Sequence, residues 1–140
     1  RQTHIYIGDG RMLLQKATEL YDLILVDAFM HDVVPEQLQT VEAAKTFEQH
    51  LRQGGRVAVN IIAAYYGERS QVLRRQIASF QTVFSTIEIF PAGHEQSLWI
   101  PQNFILTAQK GHRKLQEYLR FEALNIPNVG EDEAIRDEIN

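Results

Sequence analysis

Two carboxylates in this chain stand where a carboxylate can do chemistry. Asp27 follows the apolar run Leu23-Ile24-Leu25-Val26 and precedes Ala28 and Phe29. A short unbroken apolar run reads as a central strand buried on both faces of a parallel sheet. Ligands of open α/β sheets bind beyond the carboxyl ends of the strands. Asp27 falls at that end, placed for catalysis or ligand contact, or else for capping the next element. Asp9 lies between Gly8 and Gly10. That turn leaves its side chain available as a helix cap or a ligand contact.

Other polar and aromatic residues are candidates of a second kind. Tyr65 and Tyr66 follow a second apolar run at its carboxyl end. There they can line a pocket and offer a cation roughly 0.5–2 kcal/mol of cation–π attraction, or simply pack. Asn60 interrupts that run and needs a hydrogen-bond partner if it is buried. His31 and Asp32 are adjacent in a loop, and His94 and Glu95 are adjacent in a later one. The five histidines show no metal-ligand spacing, and the absence of cysteine removes thiolate sites and disulfides. No metal is expected.

The elements that must position these groups follow from periodicity. Thr3–Ile7 alternates and is β-branched, predicting a strand that ends at Gly8-Asp9-Gly10. A helix is predicted over Arg11–Glu19, then the strand over Asp22–Ala28. Phe29–Pro35 is an apolar loop, and Pro35 can open a helical turn through Leu38. Thr40 is a candidate N-cap for an amphipathic helix ending at Gly54-Gly55. Arg56–Ile62 is a second buried strand, followed by a helix from about Glu68 to Phe80. Thr86–Phe90 and Asn103–Ala108 are strands with no helix between them, so they are expected to pair antiparallel. His112–Leu124 has a helical stripe, and 125–140 is acidic and expected to be loose or partner-bound. The alternation predicts an α/β protein with a doubly wound, mostly parallel sheet whose last strand is antiparallel. Its domain spans 1–124, with a C-terminal tail at 125–140.

The totals agree with one globular domain: 140 residues, 44% hydrophobic and 23% charged. A net charge of -4 argues against a nucleic-acid partner held by charge. No stretch reaches the ~18 apolar residues of a membrane span, and no signal-peptide pattern appears. A cytoplasmic location is expected.

Four segments, in order, carry a family resemblance. They are Ile7-Gly8-Asp9-Gly10-Arg11, Tyr21 to Phe29, Pro35-Glu36-Gln37-Leu38-Gln39-Thr40-Val41-Glu42, and Leu51 to Asn60 with its Gln53-Gly54-Gly55-Arg56 core. Together they resemble the spermidine/spermine synthase family, a branch of the S-adenosylmethionine-dependent methyltransferase-like Rossmann proteins. The resemblance runs from about Thr3 to Ala108. It implies a nucleoside contact at Asp9, on the adenine amino group, with Gly10, Asp27 and Ala28 beside the same co-substrate. It implies Asp27 as the catalytic-site carboxylate and a substrate loop over Phe29–Gln39, including Pro35 and Leu38, with Tyr65 and Tyr66 in reach. The co-substrate implied is decarboxylated S-adenosylmethionine or S-adenosylmethionine, and the acceptor a small amine.

The chain departs from the family pattern in two ways. Similar aminopropyltransferases carry a second Asp three residues after the first, followed by Pro; here position 30 is Met30, and Asp32 and Pro35 are displaced. The strands that bear the superfamily's glycine-rich loop and ribose-binding acid lie upstream of the Gly-Asp-Gly segment and are absent, so the fold is expected to be truncated on its N-terminal side. That leaves a strand edge exposed, and a homodimer or exchange of elements is expected.

Aminopropyl transfer is attack by a primary amine on a carbon next to a sulfonium. The work is alignment, holding a cation and accepting a proton, and Asp27 suits the last two. The alternatives are methyl transfer from S-adenosylmethionine and a non-catalytic Rossmann-like assembly module.

Overall fold

The computed structural model describes residues 3–29, 34–93 and 98–111. The predicted helix at 112–124, the acidic tail, and the His31-Asp32 and His94-Glu95 pairs lie outside the described residues.

Helix α1 (Gly10–Lys16) starts at Asp9, whose Oδ1 accepts the amide of Met12 at 2.9 Å. It is shorter than the periodicity predicts, because the chain turns extended at Ala17. Strand β1 (Tyr21–Val26) follows. A 3-10 turn at Glu36–Leu38 opens after Pro35. Thr40 then caps α2 (Val41–His50), its hydroxyl accepting the Ala43 amide at 3.1 Å. Strand β2 (Leu51–Ala63) runs straight on from that helix. A second 3-10 turn (Glu68–Ser70) leads into α3 (Gln71–Gln81), and β3 (Thr86–Pro91) and β4 (Gln102–Gln109) complete the sheet.

The strand order is β1-β2-β4-β3. β1 and β2 are parallel, and β4 is antiparallel to both of its neighbours. Three strands therefore point one way and β4 alone points back, as the sequence predicts. β4 lies inside the sheet, and β3 forms the edge.

Alternation along β2 decides which face is covered. Val57, Val59 and Ile61 are fully buried, while Ala58, Asn60 and Ile62 are half-buried. The register sets Ala108, Leu106 and Phe104 of β4 beside the buried three. Ala43, Ala44 and Phe47 of α2 and Leu73 and Phe80 of α3 join them in one core. Helices α2 and α3 thus cover one face of the sheet. Among the described residues no helix covers the other.

β1, expected as a central strand buried on both faces, is the edge of the described sheet, with Leu23 and Leu25 52% and 70% exposed. Two further expectations need correction. The predicted helix end at Gly54-Gly55 lies inside β2. The helix stops at His50, Leu51 pairs with Tyr21, and parallel pairing resumes at Arg56 with Leu23. Residues 52–55 loop out between these contacts. Gly55 is required there, since a Cβ would stand 2.9 Å from the Arg52 carbonyl and 3.0 Å from that of Tyr21. The second correction is Thr3–Ile7, which forms no strand. Ile5 and Ile7 are 85% and 97% exposed. A strand needs a neighbour for its N–H and C=O groups, and no described strand runs beside this segment. The β-branched alternation is present; the partner is not.

Candidate active site at the carboxyl ends of β1 and β2

Asp27 sits one residue past β1, beside the strand that carries Asn60. The last β1 pair is Val26 with Val59, so the following residues, Asp27 and Asn60, come side by side. The Asn60 Nδ2 donates to Asp27 Oδ1 at 3.1 Å. The partner that Asn60 needed is therefore the carboxylate itself. The Asn60 Oδ1 is buried without a hydrogen-bond partner. Asp27 is exposed, so its second oxygen is open to solvent. The exposed acceptor at this corner of the sheet is the Asp27 carboxylate, which suits a ligand that brings N–H donors.

Aromatic rings stand at the end of β2. Tyr65 and Tyr66 meet edge to face with centroids 5.0 Å apart, and Tyr66 lies 5.4 Å from Trp99. The backbone fixes this group: the amides of Tyr65 and Tyr66 both donate to the Leu98 carbonyl, at 2.8 and 3.2 Å. Gly67 completes it. Its φ is 74°, and a Cβ there would press on the Trp99 ring at 3.2 Å. Trp99 lies in the segment between the strands predicted over Thr86–Phe90 and Asn103–Ala108, to which periodicity assigns no role. The bonds of Tyr65 and Tyr66 to Leu98 bring it to the end of β2.

Burial raises the Tyr65 hydroxyl above its ordinary value of 10.0; Tyr66 adds to the rise and Arg74 opposes it. A raised folded-state value means the contribution to stability is fully present below pH 10 and fades as pH climbs through the folded value. The melting temperature of the wild-type chain is expected to fall above pH 10. Tyr65→Phe, which has no proton to lose, is expected to fall less over the same range. Equal alkaline slopes for the two proteins would contradict the burial of that hydroxyl.

Of the predicted substrate loop Phe29–Gln39, residues 30–33 lie outside the described residues. Phe29 is at the threshold of exposure, Pro35 begins the 3-10 turn, and Leu38 packs partly against the core. The Leu38 carbonyl accepts from the buried Gln76 side chain of α3 at 3.2 Å, and the Gln37 carbonyl accepts from Arg11 at 3.2 Å. Arg11 thereby ties the start of α1, with Asp9 and Gly10 beside it, to the loop that follows β1. Asp9 serves as the N-cap of α1, which is the helix-capping alternative of its sequence reading. Around Gly10 the space is open, with nothing within 4 Å of an added Cβ. Ala28 is half-buried next to Asp27.

A cleft of about 480 Å³ is lined by Tyr6, Gly10, further α1 residues such as Leu13 and Lys16, and Tyr21; of the predicted nucleoside contacts it takes in Gly10 but not Asp9, Asp27 or Ala28. It is at the amino end of β1, opposite Asp27. Among the described residues no group of three acidic or histidine side chains is arranged to hold a metal ion, and no helix is long and apolar enough to cross a membrane.

The sheet order, the reversed β4 and the carboxylate past β1 define a truncated, methyltransferase-like Rossmann fold. A probable spermidine synthase from Corynebacterium glutamicum has a similar crystal structure, with a TM-score of 0.65 over 74% of this chain and 37% of that one, at 21% identity. In sequence the chain is 34% identical over 73 residues to a probable polyamine aminopropyl transferase of Bifidobacterium longum, covering 51% of this chain and 16% of the relative. It is 28% identical over 96 residues to a polyamine aminopropyltransferase of Vibrio vulnificus, covering 66% of this chain and 30% of the relative. No protein-family model matches. The chain is thus similar to polyamine aminopropyltransferases over a part that is less than a third of either curated relative.

Proposed function

We propose that this chain supplies the amine-handling part of an aminopropyltransferase, with decarboxylated S-adenosylmethionine as donor and a small primary amine as acceptor. The observation that carries this reading is the Asp27–Asn60 pair. A carboxylate with one oxygen tied to an amide and the other open can hold an alkylammonium. The Asn60 Nδ2 fixes that carboxylate through its other oxygen.

The step needs little beyond position and a base. The amine loses a proton to Asp27, its lone pair forms a bond to the carbon beside the sulfonium, and the C–S bond breaks to leave a neutral thioether. Asn60 orients the carboxylate, and the Tyr65-Tyr66-Trp99 group provides an aromatic wall for either cation. Asp9, held at the start of α1 near the loop after β1, is the residue proposed for the nucleoside. The polyamine names of the curated relatives favour this reading over methyl transfer on the same sheet.

Methylthioadenosine, the thioether that such a transfer leaves behind, is the probe for binding. At 100 times its dissociation constant it is expected to stabilise the chain by about 2.7 kcal/mol, read as a rise in melting temperature. An unchanged melting temperature at millimolar nucleoside would count against nucleoside binding by this chain and leave an assembly role.

A further inference from the structure

The buried face of α3 consists of Leu73, Gln76 and Phe80, spaced as one helical stripe. Two of these are apolar core residues, and the third is a primary amide that is 0% exposed. Its Nε2 donates to the Leu38 carbonyl at 3.2 Å, and its Oε1 is buried without a partner. A buried acceptor left unpaired loses its hydration and regains nothing. An apolar side chain of the same shape would therefore serve stability at least as well here. The glutamine is explained by what its one bond holds.

That bond holds the turn downstream of Asp27. Val34 is buried, and Pro35 opens the 3-10 turn Glu36–Leu38. Gln39, also buried, closes the turn on itself, its Nε2 donating to the Val34 carbonyl. The amides of Leu38 and Gln39 donate back to the carbonyls of Pro35 and Glu36 at 2.9 and 3.0 Å. The turn is thus rigid within itself. Its placement rests on the packing of Val34 and on bonds from outside. Arg11 supplies one from α1, to the Gln37 carbonyl at 3.2 Å, across an exposed surface. Gln76 supplies the buried one, from the helix whose Leu73 and Phe80 belong to the core.

We propose that Gln76 is a positioning residue for the acceptor amine. It anchors, from α3, the turn at the far end of the segment that leaves Asp27, and it does so at some loss of stability. β1 fixes one end of that segment and the anchored turn fixes the other, so the chain beside the carboxylate is held at both ends. Buried polar groups that violate the rules of a well-packed core are expected where function places them. The link to the amine rests on Asp27 holding the ammonium; the anchoring does not.

Gln76→Met, which keeps the length of the side chain and removes both polar atoms, tests it in the 140-residue chain. The melting temperature is expected to equal or exceed that of the wild type, because an unpaired acceptor is lost together with the bond. Amide hydrogen exchange followed by NMR is expected to quicken at least about tenfold at Leu38 and Gln39, while amides in the middle of β2 such as Val59 do not quicken. In aminopropyl transfer the KM for a diamine is expected to rise at least about threefold, with a smaller change in kcat. A melting temperature more than about 5 °C below the wild type, or a variant that does not fold, makes Gln76 a packing residue and overturns the proposal. So do turn amides that exchange at the wild-type rate, or a KM that does not move. A wild-type chain without turnover defeats the reading of Asp27 instead, and exchange and melting then decide the anchoring by themselves.

Discussion

Replacing Asp27 with Asn is expected to lower aminopropyl transfer by about 10²- to 10⁴-fold, the usual range for loss of a positioned acid–base group. The substitution keeps size and shape, and removes the charge that holds an ammonium and the lone pair that accepts its proton. Asp27 is exposed, so folding stability is expected to stay within about 0.5 kcal/mol of wild type. Asn60 makes the result more specific. Its Nδ2 donates to Asp27 at 3.1 Å, and an amide at position 27 can accept the same bond through its oxygen. The position of the side chain is thereby retained while its charge is lost. The measurement is turnover with decarboxylated S-adenosylmethionine and a diamine, followed as methylthioadenosine release, in the wild-type and variant chains. Equal rates would remove Asp27 from the chemistry. Loss of activity together with loss of fold would point to a purely structural carboxylate.

Phe80→Ala is expected to destabilise the fold by about 3–5 kcal/mol. Phe80 is fully buried on α3, stacked on Phe84 with centroids 5.5 Å apart and tilted against Phe47 of α2 at 6.1 Å. It therefore joins the two helices that cover the sheet. Its loss leaves a cavity between three elements that cannot close without moving a helix. Domains of this size have only about 5–15 kcal/mol in total, so the variant gives up a large share. A fall in melting temperature of roughly 10–20 °C corresponds to that loss, and thermal melting followed by circular dichroism measures it. A drop under 3 °C would mean that α2 and α3 do not meet through this ring.

Much of the scaffold could be read from the chain because its signals are local. Thr40 as N-cap, Pro35 opening a turn, Asp9 opening α1 and the apolar runs of β1 and β2 all rest on a few neighbouring residues, and each forms the element expected. The central, doubly buried position expected of β1 does not hold, because sheet order is not a local property. Thr3–Ile7 failed for a non-local reason: its alternation suits a strand, but strand formation depends on a neighbour outside the segment. The junction of α2 and β2 failed differently. Gly54-Gly55 reads as a helix end, yet Leu51 already pairs with Tyr21, and the glycines lie inside β2, where both bond to the backbone of Lys110.

The site was legible in its residue types and less so in its contacts. Asp27 was placed correctly past a strand, and Asn60 was flagged as needing a partner. Their bond depends on a parallel register that periodicity does not give. Trp99 could not be assigned because it reaches Tyr66 through backbone bonds from Leu98, across more than thirty positions of sequence.

The placement of β2 has a consequence for how the molecule opens. It is hydrogen-bonded on both sides, to β1 and to β4, whereas among the described residues β1 is bonded on one. Amides in the middle of β2 therefore belong to the slowest-exchanging unit, released only when the whole fold is lost, while β1 can detach in a smaller excursion of lower free energy. Asn60 rides on the persistent unit and Asp27 on the transient one. The carboxylate thus has a shorter lifetime in place than the amide that orients it. A ligand that bridges Asp27 and the β2 side of the site holds β1 down and lengthens the time for which the site exists.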